Sequence, residues 1–335
     1  MTETARIAHD DDGIRVDRWF KRHYPALTHG RLEKMLRTGQ VRLDGKRVKA
    51  ADRVAAGQTV RLPPQVVHGK LDEEPPKSKP PQRLSGSLQD FIIYMDKNVI
   101  VLNKPPGLAT QGGSGLTAHI DGMLDSIAFE KNQRPRLVHR LDKDTSGVLL
   151  VARTVPAASE LSRALATRDA QKIYWALVKG VPKVRRGTIK AALAKEGGFG
   201  PRGKDERMTT VDAAGEGAKD AVTDYAVIDT AGEEFAWLAV KPLTGRTHQI
   251  RVHLASIGTP IVGDFKYGGT DVRGLGAIEN RLHLHARSID IARPDGGRLH
   301  ADAPLPAHML KTWETLGFKE RDGENAFVVR PKRRR

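Results

Sequence analysis

Two short segments hold the residues that could do chemistry. The first, HRLDKDTSG (139–147), sets His139, Arg140, Asp142 and Asp144 side by side between apolar flanks. Asp144-Thr145-Ser146-Gly147 reads as a turn, in which Asx and hydroxyl side chains bond the backbone and glycine supplies an unusual φ. That accounts for Asp144. Asp142, just ahead of the turn and flanked by Arg140 and Lys143, is either an ion-pair partner or a carboxylate with a catalytic task. The second segment, KPLTGRTHQIRVHLASIGTPIVGDFKYGG (241–269), gathers Arg246, His248, Arg251 and His253 within eight residues. The histidines are five apart and an HExxH pattern is missing, which argues against zinc and for capping or hydrogen bonding. The chain has no cysteine, so thiolate nucleophiles, disulfides and Cys-ligated zinc are excluded. It shows no P-loop and no G-x-G-x-x-G between a strand and a helix, and GGSG (112–115) is not a nucleophile elbow. What remains is the chemistry of a carboxylate, a tyrosine and arginines, with no metal and no cofactor.

These segments need a scaffold. FIIYMDKNVIVLNKPPGL (91–108) reads as two strands divided by Asp-Lys-Asn and closed by a Lys-Pro-Pro-Gly turn. GVLLVART, IYWALVKG, AVTDYAVID and FAWLAVKPL add further strands. VPAASELSRALATRD is helical, with Leu161 and Leu165 recurring at helical spacing. Thr247 is placed to cap a helix ended by Gly258, with Ile250, Leu254 and Ile257 on one face and Arg251 in its first or second turn. Strands of mixed spacing with a few helices predict an α+β sheet domain over 88–325. The Gly-rich, charged segment 195–220 reads as a mobile loop.

Length and charge extend the picture. At 335 residues and 39% hydrophobic composition, the chain suits two or three domains with packed cores. Its 56 Lys and Arg against 40 Asp and Glu leave a net charge of +16, which favours a polyanionic partner, most often nucleic acid. Residues 13–70 alone carry 14 basic and 4 acidic residues. There, Thr28 can cap a helix with Leu32, Met35 and Leu36 inward, Gly39 as its stop, and Arg31, Lys34 and Arg37 on the other side. VRL-DG-KRV (41–48) carries a hairpin signal at Asp44-Gly45, and VAAGQTVRL (54–62) reads as a turn and a strand. Any one of these cations is adequately explained as a solvated face; their concentration points to RNA. The four prolines of 71–87 mark a linker, and 326–335 ends in a basic tail. There is no signal-peptide pattern and no apolar run near the ~20 residues of a membrane span. A cytoplasmic monomer with no membrane and no obligate protein partner is expected.

Residues 13–63 resemble the S4 RNA-binding domain nearly end to end. HRLDKDTSGVLLVAR resembles the signature of the RluA/RluC-type pseudouridine synthases, HRLDxxTSG. QKIYWALVKG (171–180) resembles their second motif, centred on a tyrosine, here Tyr174. TGRTHQIRVHLASIGTPIVGDFKYG resembles their third, and NRLHLHARSIDI the strand that follows. The match covers roughly 13–310, and the motif order is most similar to synthases of large-subunit ribosomal RNA. The resemblance implies a cofactor-free conversion of uridine to pseudouridine in RNA on a mixed, mainly antiparallel sheet. It implies that Asp142 is the essential carboxylate, that Arg251 (Arg246 as second choice) pairs with it, and that Tyr174 lies against the base as platform or proton acceptor. Arg140 would fill the space left by a flipped base, with His139 beside it. Asp142 would attack C1′, assist loss of a 2′ proton, or add to C6. Three rivals remain at this point: an idle RNA-binding or ribosome-assembly protein, a synthase acting on transfer RNA, and a metal-dependent hydrolase, which would need clustered carboxylates or histidines.

Overall fold

A computed structural model of the protein describes residues 3–25, 27, 29–63, 66, 87–112, 118–131, 133–196, 207–211, 217–273, 276–324 and 326–327. These fall into two compact units, the first within residues 3–66 and the second from residue 87 onward. The Pro-rich stretch 71–86, Thr28, positions 113–115 of GGSG and the tail from 328 lie outside the described residues.

The first unit holds β1 (Glu3–Arg6), α1 (Val16–His23), α2 (His29–Arg37), β2 (Arg42–Leu43) and β3 (Thr59–Leu62), with an antiparallel sheet ordered β1-β3-β2. Trp19 and Phe20 of α1 meet Leu32, Met35 and Leu36 of α2 in one buried core, the face that apolar spacing anticipates. Asp44 and Gly45 both take positive φ, 47° and 78°, as a two-residue primed turn requires. The hairpin nevertheless stops at Lys46: KRV forms no second strand, and β2 pairs instead with β3. Nor does the unit begin at residue 13, because β1 pairs along β3 from Glu3 to Arg6.

The second unit is an α+β domain. Its elements are β4 (Ile92–Met95), β5 (Val99–Lys104), α3 (Ile120–Met123), β6 (Arg136–Leu137), β7 (Ser146–Ala152), α4 (Val155–Ala166), β8 (Gln171–Lys179), β9 (Arg186–Lys190), β10 (Ala192–Glu196), β11 (Arg207–Val211), β12 (Val222–Ala231), β13 (Phe235–Pro242), α5 (Gln249–Ser256), β14 (Leu284–Ala292), β15 (Arg298–Asp302) and α6 (Ala307–Leu316). The large sheet runs β4-β5-β7-β14-β8-β13-β12-β9, with β6 beside β7 and β15 beside β14. Among the described residues its only parallel pair is β7–β14. The central strands are apolar on both faces because both faces are covered. Val148 and Leu150 of β7 pack towards α4, while Leu149 and Val151 pack towards α3. On the other half, Val178, Leu238 and Val240 pack with Ile250 and Leu254 of α5, and Trp175 and Trp237 pack with Trp313 of α6.

One cross-strand row positions the chemistry. Ala286 of β14 pairs with Gly147 of β7 on one side and with Tyr174 of β8 on the other. Gly147 has φ +108°, and a Cβ there would lie 2.2 Å from the Ala286 carbonyl oxygen, so only glycine fits. This close approach brings the turn after Asp142 level with Tyr174. The segment expected as a mobile loop, 195–220, contains β11, which pairs with β10 in a separate two-stranded sheet; residues 197–206 and 212–216 lie outside the described residues.

Candidate active site

Asp142 projects from the loop entering β7, and three anchors hold that loop. Leu141 is buried, and its backbone is clamped by Thr110, whose hydroxyl donates to the Leu141 carbonyl (2.7 Å) and accepts the Leu141 N–H (3.1 Å). The Thr145 N–H closes the turn onto the Asp142 carbonyl. The Lys-Pro-Pro-Gly turn then staples the far side: the Lys143 carbonyl accepts from the Gly107 N–H and from Lys104 Nζ. Lys104 is fully buried, and its ammonium also donates to the Pro105 and Leu108 carbonyls. Burial pulls its pKa down to about 7, against the opposing charges of Asp144 and Asp142. Three carbonyls around one nitrogen use all three N–H donors of the charged form.

Arg251, the third residue of α5, approaches Asp142 Oδ2 to 3.4 Å through Nη1. Its other edge is committed to Asp264, with Nε on Oδ2 at 2.8 Å and Nη2 on Oδ1 at 2.7 Å, a bidentate pair on a nearly inaccessible carboxylate. Burial would lower the arginine's pKa, but the Asp264 bonds and the charges of Asp264 and Asp142 outweigh it and hold it above its usual range. The guanidinium also lies 5.0 Å from the Tyr267 ring centroid.

His248 completes the ring of contacts. Its Nε2 faces Asp142 Oδ2 at 3.8 Å, and its Nδ1 is 2.6 Å from the Tyr267 hydroxyl. That hydroxyl accepts the Met208 N–H, which leaves its own proton for Nδ1. We assign the imidazole hydrogen to Nε2, the side that faces the Asp142 carboxylate. Burial keeps its pKa below the usual histidine value despite the Asp142 charge, so the ring is a neutral donor at pH 7. The expected Thr247 cap does not form: the N-cap of α5 is His248 in the left-handed conformation (φ 54°), without a side-chain cap. A left-handed non-glycine backbone costs on the order of 1 kcal/mol and is kept where it aims a side chain.

Tyr174, half-buried beside Ala286, has its pKa raised by burial first and by Asp142 second, so its phenol stays protonated at neutral pH. Asp142, Tyr174, Arg251, Arg140, Arg246 and Thr244 line a pocket of about 140 Å³. Ligand pockets usually measure about 300–1,000 Å³, so this one suits a group the size of a single-ring base, not a whole nucleotide. A larger groove of about 660 Å³ shares Arg140, Asp142, His248 and Arg251 with it.

Asp142, Tyr174, Arg251, Arg140 and Arg246 are thus brought together. Arg246, the second choice as Asp142 partner, is exposed and donates from Nε to the Asp220 carbonyl. His139, expected beside Arg140 on the RNA, does not join them. It lines neither cavity; its Nε2 accepts the Leu150 N–H of β7, and burial, aided by Lys172, drives its pKa down to about 4. A neutral ring bonded to the backbone props the strand and offers no charge to RNA. Arg31 is half-buried and Arg37 exposed on α2 of the first unit, and the side chain of Lys34 lies outside the described residues. Sequence reasoning does not single out Asp264, Tyr267, Thr110 or Lys104 as site residues. No group of three or more potential metal ligands occurs among the described residues.

Comparison with known proteins places the chain in a family. A family model described as RNA pseudouridylate synthase matches residues 98–256. The chain is 33% identical to RNA pseudouridine synthase 4, mitochondrial, of Arabidopsis thaliana, over 94% of this chain and 82% of that one. It is 34% identical to ribosomal large subunit pseudouridine synthase C of Vibrio vulnificus, over 92% and 95%. Among solved structures, human RNA pseudouridylate synthase domain containing 4 aligns with a TM-score of 0.56 at 28% identity, over 69% of this chain and 94% of that one.

Proposed function

We propose, from the premise that this chain belongs to the RNA pseudouridylate synthase family and is an RNA pseudouridine synthase, that it isomerises uridines of large-subunit ribosomal RNA with Asp142 as the catalytic carboxylate. The observation that carries the residue assignment is the 140 Å³ pocket in which Asp142, Tyr174 and Arg251 converge. A uridine buried in folded RNA must leave its stack to reach it, at a cost of a few kcal/mol. Arg140 is exposed at the pocket edge, and a guanidinium can stack and hydrogen-bond in the space the base leaves. Tyr174 lies against the base, with its protonated phenol a donor.

The reaction breaks N1–C1′, turns the base and forms C5–C1′; C5 then loses its proton and N1 takes one up. Asp142 acts at the sugar, on C1′ as nucleophile or on the 2′ proton as base. Arg251, locked by Asp264, holds the carboxylate oxygen through Nη1, and the His248 ring stands 3.8 Å away on its other side. Preorganised donors of this kind need no rearrangement at the moment of reaction. The first unit supplies affinity: an S4-type reading of residues 13–70 with Arg31, Lys34 and Arg37 as phosphate contacts rests on its two helices, small sheet and local basic excess. A large-subunit target rests on the likeness to the Vibrio vulnificus ribosomal large subunit synthase, and a cytoplasmic site of action goes with it.

The test is tritium release from large-subunit ribosomal RNA labelled at uridine C5, with chelator present, by wild type and Asp142→Asn. Asparagine keeps the shape and removes the charge. Release by wild type alone is expected. Equal release by both would overturn the assignment of Asp142, and release from transfer RNA but not from ribosomal RNA would overturn the substrate.

A further inference from the structure

Phe265 lines the 660 Å³ groove and is 43% exposed, while Asp264 and Tyr267 on the same turn belong to the interior network. Asp264 gives both carboxylate oxygens to Arg251, and Tyr267 joins His248 to the Met208 backbone. The turn itself is closed by the Tyr267 and Gly268 N–H groups on the Asp264 carbonyl, at 3.2 and 2.8 Å. Its entry is equally fixed: Gly263 has φ +76°, and a Cβ there would lie 1.9 Å from the Arg281 carbonyl oxygen. Phe265 is therefore an apolar ring held on a rigid mount and left in water, which the packing of this unit does not require.

Its surroundings say what would cover it. Arg140, Lys143, Lys266 and Arg281 line the same groove, along with Pro106 and Gly107, and Asp142 stands where the groove meets the base-sized pocket. A cationic groove with an exposed aromatic is the pattern that binds single-stranded nucleic acid, with cations tracking phosphates and the ring stacking a base of any identity. When a uridine occupies the pocket, the adjoining nucleotide is drawn out of its own stack and needs a new surface.

We propose that Phe265 is a stacking platform for the nucleobase next to the target uridine, a positioning residue for the RNA on the groove side of Asp142. This rests on the synthase reading above. Stacking of a base on an aromatic is lost on truncation to alanine with a ~5- to 100-fold fall in affinity.

The experiment compares wild type, Phe265→Ala, Phe265→Leu and Phe265→Trp in tritium release from C5-labelled large-subunit ribosomal RNA, separating KM from kcat. Alanine and leucine should raise KM by ~5- to 100-fold, with kcat changed far less, and tryptophan should restore it to within about twofold. The four native tryptophans, Trp19, Trp175, Trp237 and Trp313, are at 2% exposure or less, out of reach of a base in the groove, so the difference in emission between Phe265→Trp and wild type reports on the new indole. Its emission should be quenched when the RNA binds. Wild-type KM in Phe265→Ala, full rescue by leucine, a loss confined to kcat, or unquenched emission from Phe265→Trp would each overturn the platform. No release by wild type would instead refute the synthase reading, so the two failures are told apart.

Discussion

Asp264→Asn is the substitution that tests the site's construction most directly, because it removes one charge and keeps the shape. The Asp264 side chain is 1% exposed and accepts from Arg251 at 2.8 and 2.7 Å. Asparagine offers one acceptor oxygen and sets an NH₂ against a guanidinium donor, so one of the two bonds becomes a donor–donor contact. Breaking a buried ion pair by removing one partner costs about 3–5 kcal/mol. For a folded unit of this size each kcal/mol moves Tm by about 2–4 °C, so a fall of roughly 6–20 °C is expected. The second effect is geometric. Arg251 is shared between Asp264 and Asp142, the latter at 3.4 Å, and without the Asp264 charge the guanidinium is drawn onto Asp142. A displacement on the order of 1 Å costs about 100-fold in rate. Single-turnover tritium release should therefore fall about 100-fold or more, with a smaller change in KM. In an Asp142→Asn background the same change should cost little further rate, since the two act as a unit, while the loss of Tm persists. A variant with wild-type Tm and a wild-type single-turnover rate would refute the account of Arg251 as a residue held in place by Asp264.

Two further outcomes follow from the structure. His283 and His285 are fully buried, and burial pulls both pKa values from 6.5 to about 4; in the unfolded chain they take up protons below pH 6.5 that the folded protein refuses until about pH 4, so the contribution of this pair to stability is complete above pH 6.5 and falls by up to about 2.7 kcal/mol per pH unit through that window. Urea midpoints at pH 7.5, 6 and 5 check this, and a midpoint that does not move would sink it. Removing residues 1–70 should weaken RNA binding and flatten its dependence on salt, because the local cations release fewer counterions, while the single-turnover rate at saturating RNA stays within about threefold; an equal loss of that rate would place the first unit in the chemistry.

The types of the proposed catalytic residues are legible in the sequence, but their partners are not, for a physical reason. The strands are readable because apolar runs such as GVLLVART meet covered faces on both sides, and β7 is buried along its whole length. Asp142 stands out because a carboxylate between two buried segments has no local explanation. Choosing its arginine is harder, since Arg246 and Arg251 lie in one segment more than a hundred residues away. Only the left-handed turn at His248, which replaces the expected Thr247 cap, decides that Arg251 enters the helix facing Asp142 while Arg246 is left at the rim. Asp264 carries a faint signal, a single acid after the apolar run TPIV and the glycine Gly263. Its meaning depends on a contact thirteen residues back, and an isolated acid before an aromatic reads equally well as a turn. Lys104 is harder still. In NKPPGL it resembles any surface lysine, yet the fold buries its ammonium among three carbonyls to hold the loop that carries Asp142. His139 misleads in the opposite direction, because adjacency to Arg140 and Asp142 suggests a shared task when β7 needs its ring as an acceptor. Neighbours in sequence alternate between the solvent and the sheet, so a motif names the residues that act together with those that hold them still. Separating the two requires the hydrogen-bond partner of each side chain, and that partner is set by long-range topology.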